Sequence, residues 1–298
     1  MATNKDLKLR IKSVKSTQKI TKAMKMVAAA KLRKCRNKAE AAWPYAEKMA
    51  LLLTNLAGNT SFEDNAPNLL VGNGKQDKHL IIVATSDRGL CGAFNSSIVR
   101  ATKKLIQSLT NSGKSVKIFC IGKKGYEQLR PYYKQLIVDK VEGITKREIS
   151  YSDAEAIAKK VLTAYEANEF DICTVIYNKF QSAIAQIVTE QQLIPLLENE
   201  TNFERDLHPA NQVNTSHEYE PSQELILQEL LPKNFTVQIY HALLESAASE
   251  QGARMTAMDN ATNSASDMIK GLTLIYNRSR QASITKELIE IISGAEAI

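Results

Sequence analysis

The chain has 298 residues, 44% hydrophobic and 24% charged, the composition of a folded protein with a sizeable core. No apolar run approaches the ~18 residues of a spanning helix, and the basic start leads into no apolar h-region or cleavage site, which argues against a secretory signal. Four scattered cysteines and four histidines offer no ligand spacing, so no metal site or disulfide framework is expected.

The net charge of +7 is unevenly placed. Residues 1–40 hold thirteen Lys or Arg against Asp6 and Glu40, a local balance of +11, and the remainder is slightly acidic. Such an arm suits nucleic acid, an anionic membrane surface or an acidic protein partner. Because its basic residues are mainly lysine and the helical pattern begins almost at once, it does not read as a mitochondrial presequence.

From Leu7, apolar residues recur in strict four-three alternation: Leu7, Ile11, Val14, then a polar lapse at Gln18, Thr21 and Lys25, then Ala28 and onward to Leu56. That is a coiled-coil seam, narrower than the stripe of a helix lying on a globular core. Pro44 predicts a kink or local break, and Gly58-Asn59-Thr60 reads as the stop. The polar lapse predicts where this helix parts from its mate. No aromatic precedes Trp43, so the arm lacks a stacking platform for nucleic acid, and its alanine-rich stripe has nothing bulky to insert into a membrane.

Between Gly58 and Pro232 lie nine of the twelve glycines and six of the seven prolines, which marks a turn-rich domain. Strands are predicted at 79–85, 115–121, 133–138, 171–178 and 185–190. Helices are predicted at 95–108, after Gly122, and at 152–168, the last capped by Ser152 or Asp153. The alternation implies βαβ units and a mainly parallel sheet. Residues 199–222 read as a long irregular loop. The turn Ser86-Asp87-Arg88-Gly89-Leu90-Cys91-Gly92 invites a nucleotide-site reading, but it has neither GxGxxG nor GxxxxGK[ST]. Gly89 and Gly92 are better read as serving a tight strand-to-helix turn, and Cys91 as a lone thiol without a nearby base.

The last third carries a second seam: Leu244, Ala248, Gln251, Met255, Met258, Thr262, Ala265 and on to Ser279, eight of eleven positions apolar. Sixty-odd helical residues would run ~95 Å, longer than one domain can cover. The expected fold is α/β: a long antiparallel coiled coil of the N- and C-terminal helices (1–57 and 223–298) with an inserted Rossmann-like parallel-sheet α/β domain (58–222). Beyond Ser279 the pattern loosens, and the last turns are expected to stand apart from the N-terminal helix and to need other partners.

Four blocks in this order resemble the gamma subunit of F-type ATP synthases, in its bacterial form: Ser16–Ala29 (STQKITKAMKMVAA), Ser86–Gly92 (SDRGLCG), Ala248–Met255 (ASEQGARM) and Gln281–Ala295 (QASITKELIEIISGA). The resemblance implies a central-stalk rotor subunit, non-catalytic itself and without cofactor. It would turn within a ring of alpha and beta subunits, meet the epsilon subunit and the c-subunit ring through its α/β domain, and couple proton flow to ATP synthesis or hydrolysis. It further implies rotor–stator contact at Met24, Lys25, Arg254, Gln281, Thr285, Glu287 and Glu290, with Lys25 facing acidic stator loops. The implied location is peripheral, on the cytoplasmic face of a bacterial inner membrane, or alternatively on the matrix side of the mitochondrial one. Plant-type members carry a closely spaced regulatory cysteine pair; this chain does not, so no thiol switch is expected. The competing readings are a basic coiled-coil nucleic-acid-binding protein, carried by the +11 arm alone, and an enzyme built on the glycine-bearing turn.

Overall fold

A computed structural model describes residues 3–58, 67–196 and 223–296; the expected loop at 199–222 lies outside them. The chain forms two compact units, one of Met1–Ala30 with Arg254–Ile298 and one of Lys31–Ala253.

The larger unit is built on a five-stranded sheet of β1 (Lys78–Ala84), β2 (Ser115–Ile121), β3 (Ile137–Val141), β4 (Ile172–Phe180) and β5 (Gln186–Ile194), in the order β3-β2-β1-β4-β5. β1 pairs in parallel with β2 and β4, and β2 with β3, while the edge strand β5 returns antiparallel to β4. The first three connections carry helices: α3 (Phe94–Asn111), α4 (Lys123–Tyr133) and α5 (Tyr151–Glu166); a short α2 (Asn68–Val71) precedes β1.

Strand alternation separates the two apolar layers. On one face Leu80, Ile82, Phe119, Cys173 and Val175 pack with α5 residues Ile157 and Val161 and with Phe235, Ile239 and Leu243 of the C-terminal helix α6 (Gln223–Glu296). On the other, Ile81, Val83, Ile118, Cys120 and Ile176 pack under Phe94, Ile98 and Ile106 of α3 and Leu129 of α4. Ile81, Ile82 and Ile118 are fully buried, each contributing ~1.5–3 kcal/mol.

Three local expectations are corrected. Tyr133 closes α4 rather than opening a strand, because Tyr126, Leu129 and Tyr133 share one helical face over the core; β3 begins four residues later. The cap of α5 is Ser150, which forms a capping box with Asp153 three residues on; the Asp153 carboxylate accepts the Ser150 N–H at 3.0 Å and also its hydroxyl at 2.8 Å. Pro44 does not break α1 (Asn4–Gly58), which continues through it. Pro44 and Glu40 are both exposed, so the Glu40 carbonyl that loses its helical donor faces water.

Within this unit α1 and α6 run antiparallel. Trp43 and His241 meet at a 5.3 Å ring separation, and Met49 and Leu53 pack with Leu227 and Leu231. In the smaller unit the same pairing continues through bonds Asn4–Ser283, Thr21–Thr262 and Lys25–Asp259. Every predicted seam position from Leu7 to Leu53 and from Leu244 to Ser279 is buried or half-buried.

Candidate protein-interaction surface

The strand order reverses between β1 and β4, and an α/β sheet ordinarily takes its ligand in the crevice beyond the carboxyl ends of such a pair. Here α6 fills that crevice. Ser246 Oγ donates to the Ala84 carbonyl at 3.2 Å, Ser249 Oγ to the Asn178 carbonyl at 2.8 Å, and the Glu245 carboxylate accepts the Phe180 N–H at 2.8 Å. Gly252 permits the approach, since a Cβ there would stand 3.1 Å from the Phe180 ring.

The turn between β1 and α3 is likewise committed to structure. Asp87 accepts the N–H groups of Lys123, Gly143 and Thr145 and the Thr145 hydroxyl, at 2.8–3.2 Å. Burial opposes its charge, but these bonds together outweigh it and hold the carboxyl below its ordinary value. Gly92 takes the left-handed conformation expected of it, with φ 56°; the second such position is Leu90, φ 65°, rather than Gly89. Cys91 is 2% exposed and in contact with Asn95 Nδ2 at 3.2 Å, a buried thiol rather than a presented nucleophile. Burial also raises the thiols of Cys35, Cys120 (to about 12) and Cys173.

The terminal helices carry the surface that the fold does not use. The polar lapse of the α1 seam stays joined to α6, contrary to expectation. The Thr21 and Thr262 hydroxyls lie 2.7 Å apart, and Lys25 Nζ donates to Asp259 at 2.6 Å. Two of the three polar seam residues on α1 thus have a complementary one on α6, which removes the reason to separate. Beside this seam, each one position further along, stand Lys8, Lys12, Lys15, Lys19 and Lys22, preceded by Lys5. All six are exposed and follow the same three-four alternation, so they form one basic stripe along α1. Counting charge did not reveal that stripe; reading the lysines at seam spacing would have.

At the other end, all residues from Ile284 to Ala295 are exposed. Ile284, Leu288, Ile289, Ile291 and Ile292 each leave about half or more of their surface uncovered, from 48% to 68%. The stretch is a helix with apolar residues on several sides and no mate among the described residues, which marks an interaction site.

The seven predicted contact residues do not form one cluster. Met24 is half-buried on α1 and Lys25 is engaged with Asp259. Arg254 is buried, at 9% exposure. Gln281, Thr285, Glu287 and Glu290 are exposed on the last turns; there Thr285 Oγ1 bonds the Gln281 carbonyl at 3.0 Å and Glu290 lies 3.7 Å from Lys286. Among the described residues no group of acidic, histidine or cysteine side chains is arranged to hold a metal ion, and no helix is long and apolar enough to cross a membrane.

A family profile described as ATP synthase matches residues 3–298. Over its full 298 residues the chain is 56% identical to the ATP synthase gamma chain of Rhodopseudomonas palustris (strain TIE-1), with 100% of both chains covered. The chain belongs to the ATP synthase gamma-chain family. The gamma chain of Rhodospirillum rubrum is 53% identical, again with 100% of both chains covered.

Solved structures agree with a gamma-chain fold. The chain is similar to a protein of the central stalk and c-ring of Tetrahymena thermophila mitochondrial ATP synthase, at 31% identity and a TM-score of 0.59. That match covers 81% of this chain and 99% of the other. A rotor chain of the Euglena gracilis mitochondrial enzyme is similar in fold, at 19% identity and a TM-score of 0.64, with 94% and 98% covered. This gamma-chain family member therefore combines an α/β unit whose ligand crevice is closed by its own helix with terminal helices that expose charge and apolar surface.

Proposed function

We propose that the chain is the central-stalk rotor subunit of an ATP synthase, turning within a ring of alpha and beta chains and coupling ion flow to ATP synthesis or hydrolysis. The observation that carries this is the uncovered last turns of α6, whose isoleucines and leucine need a sleeve supplied by other chains. The chain itself performs no chemistry: α6 occupies the crevice in which an α/β sheet would hold a nucleotide, and catalysis belongs to the ring.

The terminal segments 1–57 and 223–298 carry the rotor–stator contacts. Met24 and the lysine stripe of α1 face acidic stator segments, and Gln281, Thr285, Glu287 and Glu290 face the sleeve around the last turns. Lys25 and Arg254 act from within the helix pair, Lys25 through Asp259. The insert 58–222 meets the epsilon chain and the c-subunit ring, which makes the subunit peripheral on the cytoplasmic face of a bacterial membrane.

The test is co-expression of the chain with alpha and beta chains of a bacterial relative. The expected product is a stable complex containing this chain and hydrolysing ATP. Purification of the chain apart from both partners, or bound to RNA instead, would sink the rotor reading and revive the nucleic-acid one.

A further inference from the structure

Away from the terminal helices, positive charge is densest on the sheet face covered by α3 and α4. α3 has Arg100, Lys103 and Lys104 and no acidic residue; α4 and the residue after it add Lys123, Lys124, Arg130 and Lys134 against Glu127 alone. Seven cations against one anion leave +6 on this face. Lys123 and Lys124 are held by Glu127 at 3.7 and 2.6 Å. Among the described residues, Arg100, Lys103, Lys104, Arg130 and Lys134 have no acidic side chain in ion-pair range.

Both helices belong to β-α-β crossovers on the same side of the sheet, so they lie next to each other and offer their outer faces together. Arg100, Lys104, Arg130 and Lys134 are exposed. The Lys103 ammonium sits 4.0 Å over the ring of Tyr132, which is itself 72% exposed, and the Tyr126 ring carries Lys140 at 4.4 Å and Arg130 at 5.8 Å.

This face is not made like the core of a protein interface, which is apolar and depleted of charge. Tyr132 is the one large exposed hydrophobic residue on α3 and α4 among the described residues. Nor does it offer a run of open rings on which a nucleic-acid strand stacks, because Tyr126 and Tyr133 are half-buried against the core and Tyr132 alone is exposed. Spread cations around a tyrosine with an apolar ring and a polar tip match the anionic headgroup layer of a bilayer.

We propose that the α3–α4 face docks on anionic phospholipid headgroups. The proposal rests on the rotor reading only in that such a subunit works within reach of a bilayer. Attraction of this kind fixes no register and so does not oppose turning.

The test uses the full chain with Tyr132→Trp, a conservative change at an exposed position, and vesicles of phosphatidylcholine with or without phosphatidylglycerol bearing brominated acyl chains. Trp43, the sole native tryptophan, provides the background in the unsubstituted chain. The tryptophan at 132 should be quenched by the anionic vesicles and spared by the neutral ones, and quenching should fade at high salt. Replacing Arg100, Lys104, Arg130 and Lys134 with glutamine should abolish the quenching, at about fivefold in affinity per cation removed.

Glutamine at Lys5, Lys8, Lys12 and Lys15 should lower total vesicle binding by the arm yet leave the quenching at 132 in place. Vesicle binding with no quenching at 132 would overturn the proposal, as would protection of that residue by RNA or an acidic polypeptide and not by vesicles. Failure to assemble with alpha and beta chains would overturn the rotor reading without altering this signal.

Discussion

Asp87 joins the carboxyl ends of β1, β2 and β3 through its four bonds to Lys123, Gly143 and Thr145. Its folded pKa lies below the ordinary 3.8, so its charged form favours the fold. That contribution is complete above the unfolded value and is lost as pH falls through the folded one. Unfolding by urea should therefore show stability declining below about pH 4. Asp87→Asn should cost about 1.5–3 kcal/mol at pH 7 and flatten that decline in part, because Asp153 and Asp171 are shifted the same way. Equal slopes in the two proteins would count against this role. Gly122 is a second fixed point at the same ends. With φ 91° and a Cβ position 2.2 Å from the Thr85 carbonyl oxygen, Gly122→Ala should destabilise the larger unit by more than about 2 kcal/mol in the same assay.

At the level of elements, the α1–α6 pair was legible in the sequence because a 3.5-residue period is written in residue identity. Its register was not. Register is fixed by Thr21 with Thr262 and Lys25 with Asp259, residues 241 and 234 positions apart, whose polarity alone suggested separation. Lys25→Asp and Asp259→Lys should each lower the thermal midpoint of the free chain, and the swapped double variant should recover it. For so exposed a pair the coupling is about 0.2–1 kcal/mol; additive losses in the double variant would show that the two side chains do not interact. The strands of the sheet were legible too, except β3, because tyrosine suits a strand and a buried helix face alike. The closing of the crevice could not be read: Ser246, Ser249 and Gly252 look like ordinary helix residues until the sheet is beneath them. The last turns of α6 contribute surface rather than packing. Leu288→Ser with Ile291→Ser should change the unfolding free energy of the free chain by no more than about 0.5 kcal/mol, while lowering recovery with alpha and beta chains. A large loss in the free chain would show instead that these residues are packed within it.

Across the whole molecule, charge and apolar surface are divided by task. The two sheet faces are closed by apolar layers, the described cysteines are free thiols, and what is left exposed is suited to partners. On α1 that is a lysine stripe, at the end of α6 a set of isoleucines, and on α3 and α4 a cationic face around Tyr132. A chain that only folded would gain nothing from these features. The most direct measurement places a biotin on Ser112→Cys, in the exposed turn after α3, within a complex held to a surface by its beta chains. A bead on that cysteine should turn steadily in one direction when ATP is added, and stop when ATP is withdrawn. ATP hydrolysis at an undiminished rate with a stationary bead would contradict the account.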